Sequence, residues 1–453
     1  MKSAFSGWRY LWKSEDIRRK LLITLAILAL YRLAANIPVP GVDFSALKAF
    51  RASGQGTAGF LGFLDLLSGG TVSNFSLLSM GVYPYITAQI ILQLLIPIIP
   101  ALQRRMQEDP REGRQWMERW TYFLSVPMAA LSAVGQINIF NSLSVQALNK
   151  VIVPFGFSAD LWLPSVTILL AMTAGTMFAI WLGELISEYG LRNQGLSLII
   201  FAGIVSRIPS NFASMLSDEV NGLKSLAVYG LLIVAVVFLI IIVQQGRRNI
   251  PVMYPGRRIG FRQAMPVRAN LPLMVNMAGM IPLIFAQTFL SMPSIAAGWV
   301  VQVVPDLTNW FNIAARSVIQ FMSGNNGGYY LIYFLLVVVF TFFYTDVQFT
   351  QANFSENLRR SGAQIPGVTS GEATQKYLTR VMRRITFPGA FFLGFVAILP
   401  FLVNSVVKLG SQSSMMLVTS SGLLIVVGVV RELYFTLEAE LKLRGYDESL
   451  LVK

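Results

Sequence analysis

Ten apolar stretches divide this chain, at about 21–37, 75–96, 120–137, 162–182, 195–208, 224–244, 271–291, 329–347, 385–405 and 414–434. A helix needs roughly 20 apolar residues to cross the hydrocarbon core of a bilayer, so each is a candidate span. The charge between them alternates. Of the 36 Lys and Arg residues, 28 lie in the segments that share a side with the N-terminus and seven in the opposite ones, with Arg32 inside the first stretch. Positive charge collects on the cytoplasmic side of membrane proteins. The pattern predicts an all-α polytopic membrane protein with ten transmembrane helices and both termini in the cytoplasm.

Composition agrees. A chain that is 54% hydrophobic with a mean hydropathy of +0.59 lies outside the range of ordinary soluble domains. The net charge of +14 sits on the cytoplasmic segments, where it fixes topology against anionic lipid or meets an acidic or nucleic-acid partner. There is no cysteine and no histidine. That removes disulfides, thiolate chemistry and imidazole bases, and makes zinc very improbable. The first 20 residues are basic and polar, with Trp8 and Trp12 as interface anchors; the run from Leu21 has no small-residue cleavage site and reads as a permanent span.

Ten spans with both ends inside divide as five and five, and an odd number per half inverts the second half relative to the first. The expected organisation is a cytoplasmic N-terminus (1–20), an N-terminal half (21–212), a C-terminal half (213–440) and a cytoplasmic tail (441–453). Residues 60–73 are apolar but too short to cross, and Gly69-Gly70 lets the backbone break there, which predicts a short re-entrant helix. Segments 246–268 and 349–384 are long, arginine-rich and punctuated by Pro and Gly, and read as cytoplasmic docking loops.

Ionisable groups inside spans mark ion or proton pathways. Arg32 lies near the outer end of its span, where a long side chain can snorkel, and Glu184 and Asp346 sit at cytoplasmic span ends. A midplane carboxylate of the kind a proton- or sodium-coupled transporter uses is not evident. Strings of Ile and Val beside Gly and Pro leave a hydrophobic constriction as an alternative device.

The text of the chain resembles the SecY family of protein-translocation channels from about residue 21 to 446. The resemblance is carried by SGGTVSNFSLLSMGVYPYITAQIILQLL (68–95), AGTMFAIWLGELI (174–186), GLSLIIFAGIVSRIP (195–209), LPLMVNMAGMIPLIFA (271–286), ENLRRSGAQIPG (356–367) and GLLIVVGVV (422–430), in order and on the matching spans. It implies two inverted five-helix halves around a central hourglass pore with a plug helix. The pore ring then falls on Val82, Ile86, Leu196, Ile200, Ile284 and Ile425; 82/86 and 196/200 are i, i+4 pairs, each on one helix face. The plug corresponds to about 60–72, with Leu64, Leu66, Leu67, Ser68, Gly69 and Gly70. The lateral gate would carry Thr87, Gln93 and Asn276, and the docking loops Arg257, Arg258, Arg359 and Arg360. Thr369 stands where the family usually has an arginine.

The resemblance further implies a passive channel for secretory polypeptides, without bond chemistry or cofactor, that releases hydrophobic segments into the bilayer. Its partners would be SecE-type and SecG-type subunits, the SecA ATPase and ribosomes, in the cell membrane. A secondary transporter of a small solute and a scaffold are the alternatives. The first predicts saturable solute uptake, the second tolerance of charge at the ring positions.

Overall fold

The computed structural model describes residues 14–52, 71–72, 75–148, 151–156, 161–192, 194–216, 222–254, 258–259, 262–263, 267–303, 310–322, 327–352, 354–407 and 413–443. These are mostly helical. The helices are α1 (Glu15–Ala34), α2 (Phe44–Ala52), α3 (Tyr83–Ile98), α4 (Pro100–Glu108), α5 (Pro110–Leu148), α6 (Trp162–Tyr189), α7 (Gly195–Leu216), α8 (Gly222–Gln245), α9 (Ile281–Val303), α10 (Trp310–Met322), α11 (Gly327–Ala352), α12 (Phe354–Arg360), α13 (Glu372–Val407) and α14 (Ser413–Leu443). Each of the ten apolar stretches overlaps one long helix. Among the described residues, three helices are long and apolar enough to cross a membrane: Trp162–Tyr189, the helix that begins at Gly327, and Glu372–Leu399. Tyr83–Ile96 joins them only if counted with Pro100–Met106, from which it is bent by 101°.

Two spans start later than hydropathy suggests. Residues 75–82 are turns, with positive φ at Phe75 (45°) and Gly81 (52°), and α3 begins at Tyr83 with Pro84 in its first turn. A proline there lacks only an N–H that the helix does not use. Residues 271–274 belong to a strand, and α9 begins ten residues after the apolar run does. Pro272 lacks a donor for a helical bond. Gly279 then takes φ +64°, a left-handed turn that Asn276 closes by accepting from its N–H and donating to its carbonyl.

That strand qualifies the all-α expectation and gives the loop read at 246–268 regular structure. β1 (Arg247–Tyr254) pairs antiparallel with β4 (Val267–Met274), Arg247 opposite Met274 and Tyr254 opposite Val267. At its tip β2 (Arg258–Ile259) pairs with β3 (Arg262–Gln263). Ile250 and Val252, two apart on one face, are buried between exposed neighbours, the alternation a half-buried ribbon requires. They join Leu273, Phe349, Leu358, Ala363, Ile365, Leu378, Val381 and Met382 in one apolar core. The backbones of Met253 and Gln364 also exchange two hydrogen bonds of 2.8 and 2.9 Å. The two basic segments 246–268 and 349–384 therefore form a single packed unit.

Among the helices, α6 packs against α1, α5 and α7, while α11 packs against α9 and α13, and α14 against α8 and α13. The two groups meet where α9 lies on α3 and α5, and where α7 lies on α8 and α14. Arg32 does not snorkel outward. Its guanidinium turns to α7 and donates to the carbonyls of Ala202 (2.7 Å) and Gly203 (2.8 Å) and to the Ser206 hydroxyl.

Candidate functional site

At the junction of α3, α7 and α14, Val82, Ile200 and Ile425 are buried in one apolar cluster, with Leu196 and Ile86 packed against it. Ile284 of α9 lies in a second cluster with Ile90, Ala278, Phe285 and Tyr344, and Ile86 packs on that one as well. Five of the six expected ring positions thus share one cluster, and Ile86 joins them to the sixth. Leu196 also leans on α6: a Cβ on Gly183 would lie 2.7 Å from its Cδ2. The backbones meet at the same place, since a Cβ on Gly195 would sit 1.7 Å from the Gly183 carbonyl oxygen. Only glycine allows that approach, and it pins the start of α7.

The second cluster is the seam between the two helix groups. Ile86, Ile90 and Leu94 recur at i, i+4, i+8 along one face of α3 and pack with Ile281, Ile284 and Phe285 of α9. Phe285 lies 5.6 Å from Phe340 and 5.8 Å from Tyr344 of α11, centroid to centroid. Such aromatic pairs add about 0.5–1.5 kcal/mol each beyond area burial. The i+4 stripe on α3 was visible in the sequence; the aromatic side of the seam was not, because nothing local says which α11 ring faces α9.

The polar gate candidates act locally. The buried Thr87 hydroxyl donates to the Tyr83 carbonyl of its own helix at 2.9 Å, and Asn276 closes the turn before α9. Gln93 is half-buried on α3.

Leu64, Leu66, Leu67, Ser68, Gly69 and Gly70 lie outside the described residues, as does Arg257; Arg258 is described as part of β2 through its backbone. Arg359 and Arg360 are exposed at the end of α12, where Glu356 accepts from both at 3.0 and 3.1 Å. Their guanidiniums, Arg360 first, hold the Glu356 carboxyl below its usual range.

The tenth stretch also contains two charges: Arg431, counted above with the cytoplasmic cations, and Glu432. Arg431 donates from Nη1 to the Gln244 carbonyl of α8 at 3.0 Å. Glu432, the next residue, is exposed. The valine-rich run before Arg431 raises the average hydropathy by which spans are read, so the stretch extends over both.

The SecY family model matches residues 76–434. The protein translocase subunit SecY of Thermotoga maritima is 36% identical over 98% of this chain and 97% of its own length, and that of Streptomyces scabiei 33% identical over 97% and 98%. This chain belongs to the SecY family. Two solved structures share the SecY-type fold at 20% identity, each covering 96% of this chain and 93% of its own. One is the structure of a protein conducting channel (TM-score 0.60). The other is from work on how the plug domain of the SecY protein stabilizes the closed state of the translocation channel and maintains a membrane seal (TM-score 0.61).

Proposed function

We propose that this SecY-family chain is a protein-conducting channel: a passive pore that passes unfolded secretory polypeptides across the cell membrane and releases hydrophobic segments sideways into lipid. The observation carrying this reading is that Val82, Ile86, Leu196, Ile200 and Ile425 share one apolar cluster, joined through Ile86 to Ile284, in a chain that aligns with translocase subunits over nearly its whole length. Branched aliphatic side chains exclude water and ions by dewetting. They carry no fixed charge that would hold a polar chain in transit.

In this reading ten spans form two inverted halves, 21–212 and 213–440, with the plug at about 60–72 on the outer side. The seam of Ile86, Ile90 and Leu94 against Ile284 and Phe285 is the lateral gate. Its contacts are apolar, so it parts into lipid without stranding polar groups, and an apolar segment that reaches it partitions outward. Thr87, Gln93 and Asn276 shape the flanking backbone. Arg257, Arg258, Arg359 and Arg360 belong to the two cytoplasmic basic segments and receive a ribosome or a SecA-type motor, with SecE-type and SecG-type subunits completing the complex.

The absence of cysteine makes the test clean. One cysteine replaces Ile86 and a second is placed in a stalled secretory chain; Leu231, 76% exposed on α8, serves as the outward-facing control. A disulfide at Ile86 and none at Leu231 places polypeptide in the constriction. Equal or absent crosslinking at both, in a verified complex, overturns the channel reading in favour of a small-solute transporter.

A further inference from the structure

α13 carries one continuous exposed stripe, from the second basic segment into the span that follows it. Lys376, Arg380, Arg383 and Arg384 lead into Phe387, Phe391 and Phe395, all of them exposed. At 100° per residue these seven positions fall within about 120° of the helix circumference. Leu378, Met382 and Leu393, on the opposite face, are buried. The stripe changes from cationic to aromatic within one turn, and an open cavity of about 750 Å³ lies at that change, with Lys376, Thr379, Arg380, Arg383, Arg384 and Phe387 in its lining. Two of the four cations are already paired: Lys376 with Glu372 at 2.8 Å, and Arg383 with Asp346 of α11 at 3.0 Å. Arg380 and Arg384 have no acidic partner among the described residues. Beyond the cavity the wall is aromatic and shared with α11. Phe387 lies 4.7 Å from Phe391 and 6.4 Å from Phe342, and Phe334 lies 5.9 Å from Phe391, centroid to centroid.

We propose that this cavity is a binding site for an anionic phospholipid of the cytoplasmic leaflet. Arg380 and Arg384 hold its phosphate, Thr379 offers a hydroxyl, and an acyl chain runs along Phe387, Phe391 and Phe395. The chemistry fits part by part. Two guanidiniums one helical turn apart, about 6 Å, suit a phosphate, whose oxygens accept from such forks in pairs. Exposed phenylalanines want hydrocarbon, and α13 from Glu372 to Leu399 is long and apolar enough to cross a membrane. A soluble polyanion such as RNA would satisfy the arginines and leave the three phenylalanines without a partner. The site goes beyond the channel reading and holds whether or not a polypeptide passes between the halves. It also divides the second basic segment. Arg359 and Arg360 on α12 remain for a soluble partner, while the cations of α13 serve the bilayer.

The experiment places the full chain, with its partner subunits, in phosphatidylcholine vesicles that hold a small fraction of phosphatidylglycerol bearing a photoactivatable headgroup. Crosslinks are mapped by mass spectrometry and scaled to the total labelling of the chain. Wild type should label residues 372–387. Arg380→Gln together with Arg384→Gln should lower that labelling by roughly tenfold or more, at about fivefold for each cation lost near an anionic surface. Arg359→Gln together with Arg360→Gln should leave it unchanged. Phe387→Ser together with Phe391→Ser should also lower it, since a phosphate held by charge alone would not sense the aromatic wall. Unlabelled phosphatidylglycerol should compete; glycerol phosphate and RNA of equal phosphate content should not. Wild-type labelling in the arginine variant overturns the proposal. So does displacement by RNA or glycerol phosphate, which reassigns the arginines to a soluble anion. Labelling seen in the chain alone and lost when the partner subunits are added overturns it too, because a protein then covers the stripe. If the phenylalanine variant fails to accumulate, the arginine variant and the competition decide.

Discussion

Gly195 sits so close to Gly183 that a side chain on it would enter the Gly183 carbonyl oxygen at 1.7 Å. Because the obstacle is backbone, no rotamer change relieves it. Gly195→Ala should force α7 away from α6 and destabilise by about 1–3 kcal/mol, the range for overpacking a fitted contact. Gly230→Ala is the control, since nothing stands within 4 Å of where its Cβ would lie. Thermal denaturation in lipid should lower the midpoint for the first variant and not the second.

Ile86 touches both apolar clusters. Ile86→Asp should make vesicles holding the complex leak ions strongly, while Ile86→Val, which keeps branching and loses one methylene, should leak little. Single-channel recording separates the two. A silent Ile86→Asp channel at normal abundance would sink the assignment of this residue to the constriction.

Arg32 spans from α1 to carbonyls of α7. Arg32→Leu should cost about 1.5–3 kcal/mol, the range for a hydrogen bond to a charged group. Arg32→Lys should cost a comparable share, because a lysine lacks the fork that reaches two carbonyls at once. An outward-snorkelling arginine would tolerate both changes, and unfolding midpoints tell the cases apart.

The docking arginines should be unequal. Glu356 already neutralises part of the charge of Arg359 and Arg360. Glu356→Gln should free them and tighten binding of ribosomes or another anionic partner at low salt, steepening the salt dependence by up to one unit per phosphate newly contacted. Acid should act in the same direction. The Glu356 carboxyl is held below its usual range, so the pairing is present above the unfolded pKa and is lost as pH falls through the lower folded value. Reversing Arg257 and Arg258 to Glu should weaken binding without changing ion leak. Cosedimentation across a salt series measures all of these.

Much of the helical frame was legible because hydropathy is a local property: each predicted stretch overlaps one long helix. The late start of α9 was not, because residues 271–274 are apolar for a different reason, one face of Val267–Met274 being needed to cover Ile250 and Val252 across a ribbon. The proposed constriction was legible only through family resemblance. An isoleucine facing lipid and one facing Ile200 read alike in sequence, and the contact that separates them joins residues more than a hundred positions apart. The packing role of Arg431 escaped notice because its partner is a main-chain carbonyl, which leaves no sequence signal.

The ribbon and the second basic segment share one core, and the Val275 amide, just after β4, donates to the carbonyl of Gly246, just before β1, at 2.8 Å. The unit is thus fastened at its root, and it joins the ends of α8, α9, α11 and α13. With strands of eight residues, the ribbon is a lever about 27 Å long. A partner that tilted its tip would apply a torque to four helices together, and α9, which carries Ile284 and Phe285, is one of them. A push on the ribbon would in that way reach the seam through a single turn of six residues, 275–280.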